Sequence, residues 1–448
     1  MTASCEVLVV GAGLSGLRTA TRLAEAGTDV VVLEARDRVG GRTLTEVVDG
    51  VAYDRGAQWV GPTQHRMHAL IDQLGLTTFP TWGEGEAILD VRGERKRYSG
   101  TIPPFPILDL LRVHRALGRI DRMTGAVPGH DPTAAPDARR LDSQTLQGFM
   151  DRHLPPRAQG ALTPAIRVIF GAEPSELSML WFLTYCAQSG GFTHLIESDG
   201  GHQQDRLVEG MGAIAGRLAA PLGDRVVLEA PARRIDHGPD GVTVHTERGA
   251  FSADHAIVAV PPHLCSGIDW HPLLPASREQ VHQKLSMGST TKVIATYSRP
   301  FWRDAGLSGE VVCDRGPFSI LYDNSPQDGR CGALVGFVVG THARALQGGP
   351  EAEQRSTLTT ALADFYGAEA SAPRQLLIQD WGAERFTRGC PVGNAPPGLL
   401  TEAAAALRAP VGRLHWAGTE TAAEQVGFME GALEAGDRAA DAVLAARP

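Results

Sequence analysis

The sequence predicts an α/β fold around a parallel sheet, because two apolar runs near the N-terminus enclose a glycine motif and a helical pattern. The runs occupy residues 7–10 and 30–33, glycines stand at positions 11, 13 and 16, and the helical pattern ends at Gly27. Strand, tight turn, helix and strand in this order are typical of a Rossmann-like unit. A second helical pattern near the C-terminus, with apolar residues at 432, 435, 439 and 443, predicts a last helix packed inward.

The glycine motif and the residue after the second run indicate dinucleotide binding. Gly11, Gly13 and Gly16 allow the backbone around Ser15 to turn sharply and approach a pyrophosphate, whose charge the first amides of the helix stabilise. Glu34 stands where a carboxylate accepts hydrogen bonds from an adenosine ribose. Because strands, glycines and carboxylate are in register, we prefer this interpretation to an ordinary glycine-rich turn.

A second glycine motif, at residues 36–45, resembles that of flavin-dependent amine oxidases and their relatives. Gly41 again allows a close approach to phosphate. By the resemblance, Arg42 would offer a fork of donors to pyrophosphate oxygens, Arg36 would lie near the adenosine side, and the backbone of Ala232 would contact adenine. The implied dinucleotide is FAD, whereas a solvated basic loop is the alternative.

The resemblance to the flavin monoamine oxidase family extends along nearly the whole chain. A block at residues 56–63 would run beside the isoalloxazine ring, and shorter blocks follow in family order at residues 178–183, 259–262 and 292–297. The resemblance implies the amine oxidase fold, in which a Rossmann-like FAD-binding domain of the glutathione-reductase type is interleaved with an α+β substrate-binding domain. The first block contributes Gly56, Ala57, Gln58 and Trp59 to the predicted cofactor site.

The same family pattern implies domain boundaries. The FAD-binding domain would consist of residues 1–79, 205–281 and 384–448. The substrate-binding domain would consist of residues 80–204 and 282–383.

The C-terminal block resembles the family's closing flavin motif. The helix after it would direct its N-terminal amides at the pyrimidine side of the flavin, where reduction places negative charge. The alternative is an amphipathic C-terminal helix alone, which leaves the Gly-Thr-Glu sequence before it unexplained. The predicted cofactor residues of this block are Gly418, Thr419, Glu420, Gly427, Phe428 and Met429.

Three side chains are predicted to be catalytic from the resemblance. Lys292 aligns with the family lysine that holds a water against flavin N5, and such a lysine would be buried. Trp381 would line the flavin. Phe428 would form one wall of an aromatic cage whose other wall is Pro391, a departure from the two tyrosines usual in family monoamine oxidases. The alternatives are an exposed strand lysine and ordinary core aromatics.

Cys390 aligns with the cysteine that some family members bond through sulfur to the flavin 8-methyl group. A covalent link and a free buried thiol both stay open for this chain. The six cysteines are widely scattered and show neither zinc spacing nor a CxxC pair, so no metal site is predicted.

The substrate cavity implied by the family arrangement is mostly apolar. An apolar cavity with one amide suits a hydrophobic or moderately polar amine, and it offers no arginine clamp for an amino-acid carboxylate. The predicted pocket residues are Val168, Ile169, Ile196, Gln203, Ile320 and Leu321.

These expectations describe an FAD-dependent amine oxidase. A deprotonated amine would lose hydride equivalents from its α-carbon to flavin N5, and the imine would then hydrolyse to an aldehyde or ketone. Dioxygen would reoxidise the flavin and leave hydrogen peroxide. The alternatives are a flavin-dependent amino-acid oxidase or desaturase, and a non-catalytic interaction module that binds flavin.

Composition indicates a large soluble enzyme with small-molecule partners. The 448 residues carry a net charge of −9 without a basic run, so nucleic acid is not an expected partner. No stretch of about twenty apolar residues occurs, the N-terminus resembles no signal peptide, and the chain stops just after its last helix. We therefore expect a cytoplasmic protein without a membrane anchor, and family habit suggests a homodimer.

Overall fold

The computed structural model describes residues 2–100, 107–196 and 200–446. Its strands, in chain order, are β1 (Thr2–Val10), β2 (Val30–Leu33), β3 (Thr45–Val48), β4 (Val51–Asp54), β5 (Thr78–Pro80), β6 (Glu86–Val91), β7 (Glu94–Tyr98), β8 (Asp205–Leu207), β9 (Val226–Val227), β10 (Arg234–Gly238), β11 (Gly241–Thr246), β12 (Gly249–Val258), β13 (Asp269–His271), β14 (Ser286–Met287), β15 (Thr290–Tyr297), β16 (Leu307–Cys313), β17 (Ile320–Asp323), β18 (Gly332–Val339), β19 (Gln375–Asp380), β20 (Gly393–Asn394) and β21 (Leu414–Trp416).

The α-helices are α1 (Leu14–Glu25), α2 (His65–Gln73), α3 (Ile107–Thr124), α4 (Ala138–Asp142), α5 (Leu146–His153), α6 (Pro156–Phe170), α7 (Met179–Gln188), α8 (Phe192–Ile196), α9 (Gly212–Ala219), α10 (Pro262–Cys265), α11 (Ala276–Lys284), α12 (Phe301–Asp304), α13 (Thr341–Leu346), α14 (Glu351–Tyr366), α15 (Leu399–Ala403) and α16 (Met429–Ala445). Short 3₁₀ helices occupy Pro132–Ala134, Ala220–Arg225, Ala368–Ser371, Ala404–Leu407 and Thr419–Thr421.

The first sheet has the strand order β13-β10-β11-β12-β1-β2-β9, with β21 also paired to β12. Strands β2, β1, β12 and β21 run parallel, and Val10 lies opposite both Leu33 and Val258, while Val258 lies opposite Trp416. The carboxyl ends of these strands therefore meet at one edge, where ligands bind in open α/β sheets. This sheet confirms the predicted α/β class.

Helices α1 and α16 pack side by side over this sheet. Arg18 pairs with Asp437 and Arg22 pairs with Asp441, each with a shortest N···O distance of 2.6 Å. Both partners advance by four residues, so the helices are parallel and their N-termini lie at the same end. A Cβ atom on Gly436 would lie 2.6 Å from the carbonyl oxygen of Ser15, so glycine is required for this close approach.

The second sheet has the order β19-β15-β18-β17-β16-β6-β7. Every residue of β15 and of β18 is buried, which is the pattern of central strands covered on both faces. One face packs against helix α6 through Val168, in a cluster that includes Ile294 and Phe337. This places the side chains of β15 and β18 next to the end of α6.

The region of residues 126–142 is only partly a loop. It contains a 3₁₀ turn and helix α4, and the next helix, α5, is capped by Thr145, whose hydroxyl accepts from the Gly148 amide at 3.1 Å. The buried Asp142 instead accepts from the Ser178 hydroxyl at 2.7 Å. Asp and Thr are both favoured N-cap residues. Asp142 binds Ser178 instead, and Thr145 caps α5.

No helix in the described part of the chain is both long and apolar enough to span a bilayer.

Candidate active site

A cavity of about 570 Å³ opens at the edge where the parallel strands end, and it extends toward the second sheet. Most of the predicted site residues line it, although they come from distant parts of the chain. Those residues are Gly11, Gly13, Ser15, Glu34, Arg36, Gly41, Arg42, Gly56, Ala57, Gln58, Trp59, Val168, Ile169, Gln203, Ala232, Lys292, Trp381, Cys390, Gly418, Thr419, Gly427, Phe428 and Met429.

Two helix N-termini face this cavity without a capping side chain. The N-cap of α1 is Gly13 and that of α16 is Phe428, and neither side chain accepts a bond from its helix. A Cβ atom on Gly13 would meet nothing within 4 Å, so the space before α1 is open. Uncapped amides and the helix dipole favour a negatively charged group there. A dinucleotide with its pyrophosphate at α1 and an electron-accepting ring at α16 fits this arrangement.

The turn before α1 requires glycine. Gly11 has φ +105°, and a Cβ atom there would lie 2.9 Å from the carbonyl oxygen of Ala259. Gly16 does not line the cavity. A Cβ atom at this position would lie 1.9 Å from the carbonyl oxygen of Gly11, so glycine is required here as well. It shapes the turn by allowing helix α1 to pack against the strand end.

Glu34 is 3% exposed, and its carboxylate connects the turn before α1 to the segment after β2. One carboxylate oxygen accepts from the Ala12 amide at 2.7 Å, and the other accepts from the Arg36 amide at 2.9 Å. Oε2 keeps a lone pair for a hydroxyl donor, whereas Oε1 also lies 3.5 Å from Nη1 of Arg36. The Arg36 side chain forms an ion pair with Glu384 at 2.9 Å.

The guanidinium of Arg42 bonds to two residues that are distant in the sequence, Pro391 and Glu420. It donates to both carboxylate oxygens of Glu420, at 2.6 and 3.0 Å, and to the carbonyl oxygen of Pro391 at 2.7 Å. Burial disfavours the ionised form of Glu420, yet the facing Arg42 holds the pKa of Glu420 below its usual value. Glu420 does not line the cavity. It joins the C-terminal motif to the second glycine motif, and a contact of Arg42 with pyrophosphate stays a prediction.

Lys292 lies on β15 and is 4% exposed. Its Nζ donates to the carbonyl oxygen of Gly56 at 2.8 Å and to Oε1 of Gln58 at 2.5 Å. Burial lowers the pKa of Lys292 to about 7, with Arg206 adding to the lowering and Asp54 opposing it. The amine therefore changes its charge near neutral pH.

Phe428 belongs to an aromatic group that the sequence motifs only partly predicted. Its ring stacks on His202 with centroids 4.4 Å apart and lies 5.7 Å from Tyr185. The Nε2 of His202 faces the carbonyl oxygen of Ser189 at 3.1 Å, and burial lowers the pKa of His202 to about 4, so the ring is neutral. Both His202 and Tyr185 line the cavity, as does Pro391.

Sequence reasoning missed His202 and Tyr185 because neither belongs to a glycine or flavin block. One signal was available for His202, which directly precedes the predicted pocket residue Gln203. Tyr185 lies in α7, whose residues 179–186 are all buried, so its sequence context is that of a core helix.

Trp381 and Cys390 both line the cavity. Trp381 is 1% exposed, and its indole nitrogen donates to the carbonyl oxygen of Arg55 at 3.0 Å. Burial raises the pKa of the Cys390 thiol to about 11, and the six cysteines are free thiols. A thioether to flavin and a free thiol both stay open. Among the described residues, no group of three His, Cys, Asp or Glu side chains could hold a metal ion.

We define the substrate end of the cavity as the part lined by Trp59, Val168, Ile169, Leu195, Gln203, Lys292, Phe337 and Phe428. Gln203 donates through Nε2 to the carbonyl oxygen of Leu195 at 3.2 Å. Its Oε1 is buried and has no protein partner in the described part of the chain. Buried carbonyl oxygens are normally paired, so Oε1 is available to a donor from a bound molecule.

Two of the remaining predicted pocket residues, Ile320 and Leu321, do not line the cavity. Ile320 and Leu321 are buried on β17, where Ile320 lies opposite Phe337. Phe337 reaches the cavity and the two β17 residues do not. Ile196 ends helix α8, and its side chain lies outside the described part of the structure.

A family model described as flavin containing amine oxidoreductase matches residues 14–444. The chain is 36% identical over 443 residues to a probable flavin-containing monoamine oxidase A of Dictyostelium discoideum, covering 98% of this chain and 97% of that protein. It is 37% identical to amine oxidase [flavin-containing] B of Homo sapiens, covering 99% and 87%.

Solved structures agree along the whole chain. A triple mutant of putrescine oxidase, from a redesign of cofactor binding, matches with a TM-score of 0.95 and 35% identity, covering 100% of both chains. Cyclohexylamine oxidase from Brevibacterium oxydans matches with a TM-score of 0.94 and 30% identity, covering 99% of both chains.

Proposed function

The chain belongs to the flavin-containing amine oxidoreductases, and from that premise we propose that it oxidises a hydrophobic monoamine with dioxygen as the final electron acceptor. It is an FAD-dependent amine oxidase, which converts an amine to an imine that water hydrolyses to an aldehyde or ketone. The proposal adds the substrate class, the acceptor and the roles of individual side chains.

The observation that carries the substrate class is the single unpartnered acceptor in an apolar setting. Oε1 of Gln203 is buried without a partner, and the neighbouring walls of the substrate end include Val168, Ile169 and Leu195. An amine N–H is the donor that would satisfy this oxygen, and the apolar walls would hold the hydrocarbon part of the substrate.

The charges of the cavity favour a monoamine over a diamine or an amino acid. Glu34 is the one carboxylate among the described cavity walls, and it lies at the end of β2, beside the glycine motif. The substrate end as defined contains no guanidinium. A second ammonium group would therefore lack an anionic partner there, and a substrate carboxylate would lack an arginine.

The neighbours named above suggest different substrates by their names. One is a putrescine oxidase, also solved with putrescine bound, and another is a cyclohexylamine oxidase. The apolar substrate end of this chain favours an amine of the second kind.

The side chains of the substrate end would exclude water and orient the amine. Trp59, Phe337 and Phe428 enclose an environment of low polarity, which favours the uncharged form of an amine and leaves its lone pair free. FAD supplies, when bound, the two-electron acceptor for the C–H bond next to the nitrogen. Gln203 and the stacked Phe428 would hold that carbon in place, and Trp381 would form a further wall.

Lys292 would serve the oxidative half of the cycle. Two of its N–H bonds are directed at Gly56 and Gln58, so its third position is free to face the cavity. We propose that this position holds a water and assists the reaction with dioxygen. Because the pKa of Lys292 is lowered to about 7, the group can give or take a proton near neutral pH.

We propose the domain division, the homodimer and the cytoplasmic location as stated from the sequence. The strands of the first sheet come from residues 2–33, 226–271 and 414–416, and those of the second sheet come from residues 86–98 and 290–380. This distribution supports interleaved domains.

The test is anaerobic mixing of the purified flavoprotein with matched amines. Hexylamine, diaminohexane and aminohexanoate share one carbon chain and differ only in the group at the far end. We expect hexylamine to bleach the flavin band fastest, and air to restore the band with release of hydrogen peroxide. Faster bleaching by diaminohexane would contradict the monoamine proposal, and a band that no amine bleaches would contradict the whole assignment.

A further inference from the structure

A buried amide, Gln58, connects Lys292 to Asn324, a residue outside the cavity. Oε1 of Gln58 accepts from Lys292 Nζ at 2.5 Å, and Nε2 of Gln58 donates to Oδ1 of Asn324 at 3.2 Å. Asn324 follows β17 and is 0% exposed, and Gln58 is 2% exposed. Asn324 does not line the cavity, whereas Gln58 and Lys292 do.

The order of donors and acceptors along this chain is set at the lysine end. Nζ of a lysine in its charged form can only donate, so the amide of Gln58 must turn its oxygen toward it. The nitrogen of the same amide then faces Asn324, whose side-chain oxygen accepts. The backbone amide of Asn324 donates to the carbonyl oxygen of Ala333 at 2.7 Å, which fixes the residue to the neighbouring strand.

Asn324 lowers the stability of the folded protein through its side-chain nitrogen. Its Nδ2 is buried and has no partner within the described residues. An unsatisfied buried donor destabilises a protein, so a hydrophobic residue would suit the location better unless the side-chain oxygen has a task. Among the described residues, the bond accepted from Gln58 is the one hydrogen bond that the Asn324 side chain makes.

We propose that Asn324 is a positioning residue that, through Gln58, keeps a hydrogen-bond acceptor directed at Lys292 and thereby favours the charged form of this amine. Without Asn324 the Gln58 amide could rotate and direct its N–H groups at Nζ. The effect on protonation is independent of catalysis, and its consequence for turnover rests on the proposed role of Lys292 with dioxygen.

Other groups around Lys292 also shift its pKa. Burial is the main cause that lowers the pKa of Lys292, and Arg206 lowers it further, while Asp54 and Cys390 raise it. The Gln58 oxygen acts at 2.5 Å, closer than the Gly56 carbonyl at 2.8 Å. A hydrogen bond to the charged form raises a pKa, so loss of the directed acceptor should lower it.

The chain offers an unusually direct measurement, because it contains only three lysines, Lys96, Lys284 and Lys292. Protein labelled with ¹³C at the ε-carbon of lysine should give three NMR signals, and the signal missing in Lys292→Met identifies Lys292. Its chemical shift is followed against pH in the FAD-loaded protein. Lys96 and Lys284 are exposed and provide reference titrations in the same sample.

The variants test the two amides separately. In Asn324→Leu we expect the titration midpoint of Lys292 to fall by about one pH unit. In Gln58→Glu, which places a carboxylate on Nζ, we expect it to rise by at least about one pH unit. The matched control is Asn394→Leu, because Asn394 is the chain's other asparagine, is buried, and donates to the carbonyl oxygen of Phe170. It should leave the midpoint unchanged.

A folded Asn324→Leu protein with an unchanged Lys292 midpoint would overturn the proposal. If Asn324→Leu does not fold, Gln58→Glu still decides, since an unchanged midpoint there would show that the Gln58 side chain does not act on Nζ. A shifted midpoint with an unaltered rate of reoxidation would support the positioning role and would instead refute the proposed role of Lys292 with dioxygen.

Discussion

At the scale of single residues, Gln203 presents an unpartnered oxygen to an apolar cavity. In Gln203→Leu we expect kcat/KM for hexylamine to fall about fivefold, because one hydrogen bond to the substrate is worth about 1 kcal/mol. Steady-state kinetics with hexylamine measure this. Gln204→Leu is the control, since Gln204 bonds to Asp205 and does not line the cavity. Equal losses in both variants would contradict a substrate contact.

Lys292 lies in the cavity wall, where burial lowers its pKa to about 7. Lys292→Met removes the amine but keeps a long apolar side chain. We expect reduction by hexylamine to persist and the second-order rate constant for reoxidation by dioxygen to fall at least about tenfold. Anaerobic stopped-flow mixing of the oxidised protein with hexylamine measures reduction, and mixing of the reduced protein with dioxygen measures reoxidation. An unchanged reoxidation rate would refute the assigned role.

The ion pair of Arg42 and Glu420 is buried on the carboxylate side, where Glu420 is 3% exposed. Arg42→Met leaves that carboxylate without a cation. We expect the free energy of unfolding to fall by about 3 kcal/mol, because an uncompensated buried charge is costly. Chemical denaturation measures it. Arg140→Met breaks an exposed pair with Asp137 and should change stability by less than about 0.5 kcal/mol. Similar losses in the two variants would contradict the argument.

At the scale of elements, most of the described helices begin without a side-chain cap, and two of these uncapped N-termini, those of α1 and α16, face the cavity. Helices α5 and α7 begin with hydroxyl caps, Thr145 and Ser178, whereas α1 and α16 begin uncapped at the cavity. Capping residues stabilise a helix by about 1 kcal/mol, so omitting them at the two termini that face the cavity leaves amides for a ligand.

Helix α2 is capped from another element. The Glu430 carboxylate, in the first turn of α16, accepts from the amides of Arg66 and Met67 at 3.0 and 2.8 Å. Glu430→Ala should therefore lower the free energy of unfolding by about 2 kcal/mol, because it leaves two amides without an acceptor. Thermal or chemical denaturation measures the change.

Glu424→Ala is the matched control for that helix cap. Glu424 pairs with the side chain of Arg66, but it is 64% exposed. The control should lose much less stability, since exposed ion pairs contribute little. If both variants lose the same stability, the cap on α2 is not the cause.

At the scale of the whole molecule, burying Lys292 between β15 and the segment that follows β4 links stability to pH. The folded pKa is about 7 and the ordinary value is 10.5, so the unfolded chain binds more protons between these values. The wild-type protein should therefore gain stability over Lys292→Met as the pH rises through this range, by about 2 kcal/mol between pH values of about 7 and 9. Below the folded pKa the charged amine must be buried, and the gain is absent.

Urea denaturation of both proteins at the two pH values measures the difference. Lys284→Met is the control, because Lys284 is exposed and its replacement should leave the pH dependence of stability as it is. A wild-type curve parallel to that of Lys292→Met would show that Lys292 titrates in the folded protein as it does in the unfolded chain.

The sequence by itself determined the features that depend on neighbours in the chain. The alternation of apolar runs and a helical pattern predicted β1, α1 and β2. The apolar spacing at 432, 435, 439 and 443 predicted the inward side of α16, on which Ala432 is half-buried and the other three are buried. These succeed because periodicity and turn glycines act locally. The resemblance to the family then predicted FAD, which the comparisons confirm.

Only the tertiary structure decided the partners and charges of the site. Arg42 meets Glu420 across 378 residues of sequence, Gln58 meets Asn324 across 266, and His202 stacks on Phe428. The lowered pKa of Lys292 likewise follows from burial between segments that are far apart in the chain. Hydrogen bonding and desolvation act through space, so a sequence pattern can propose such residues but cannot assign their partners or their protonation.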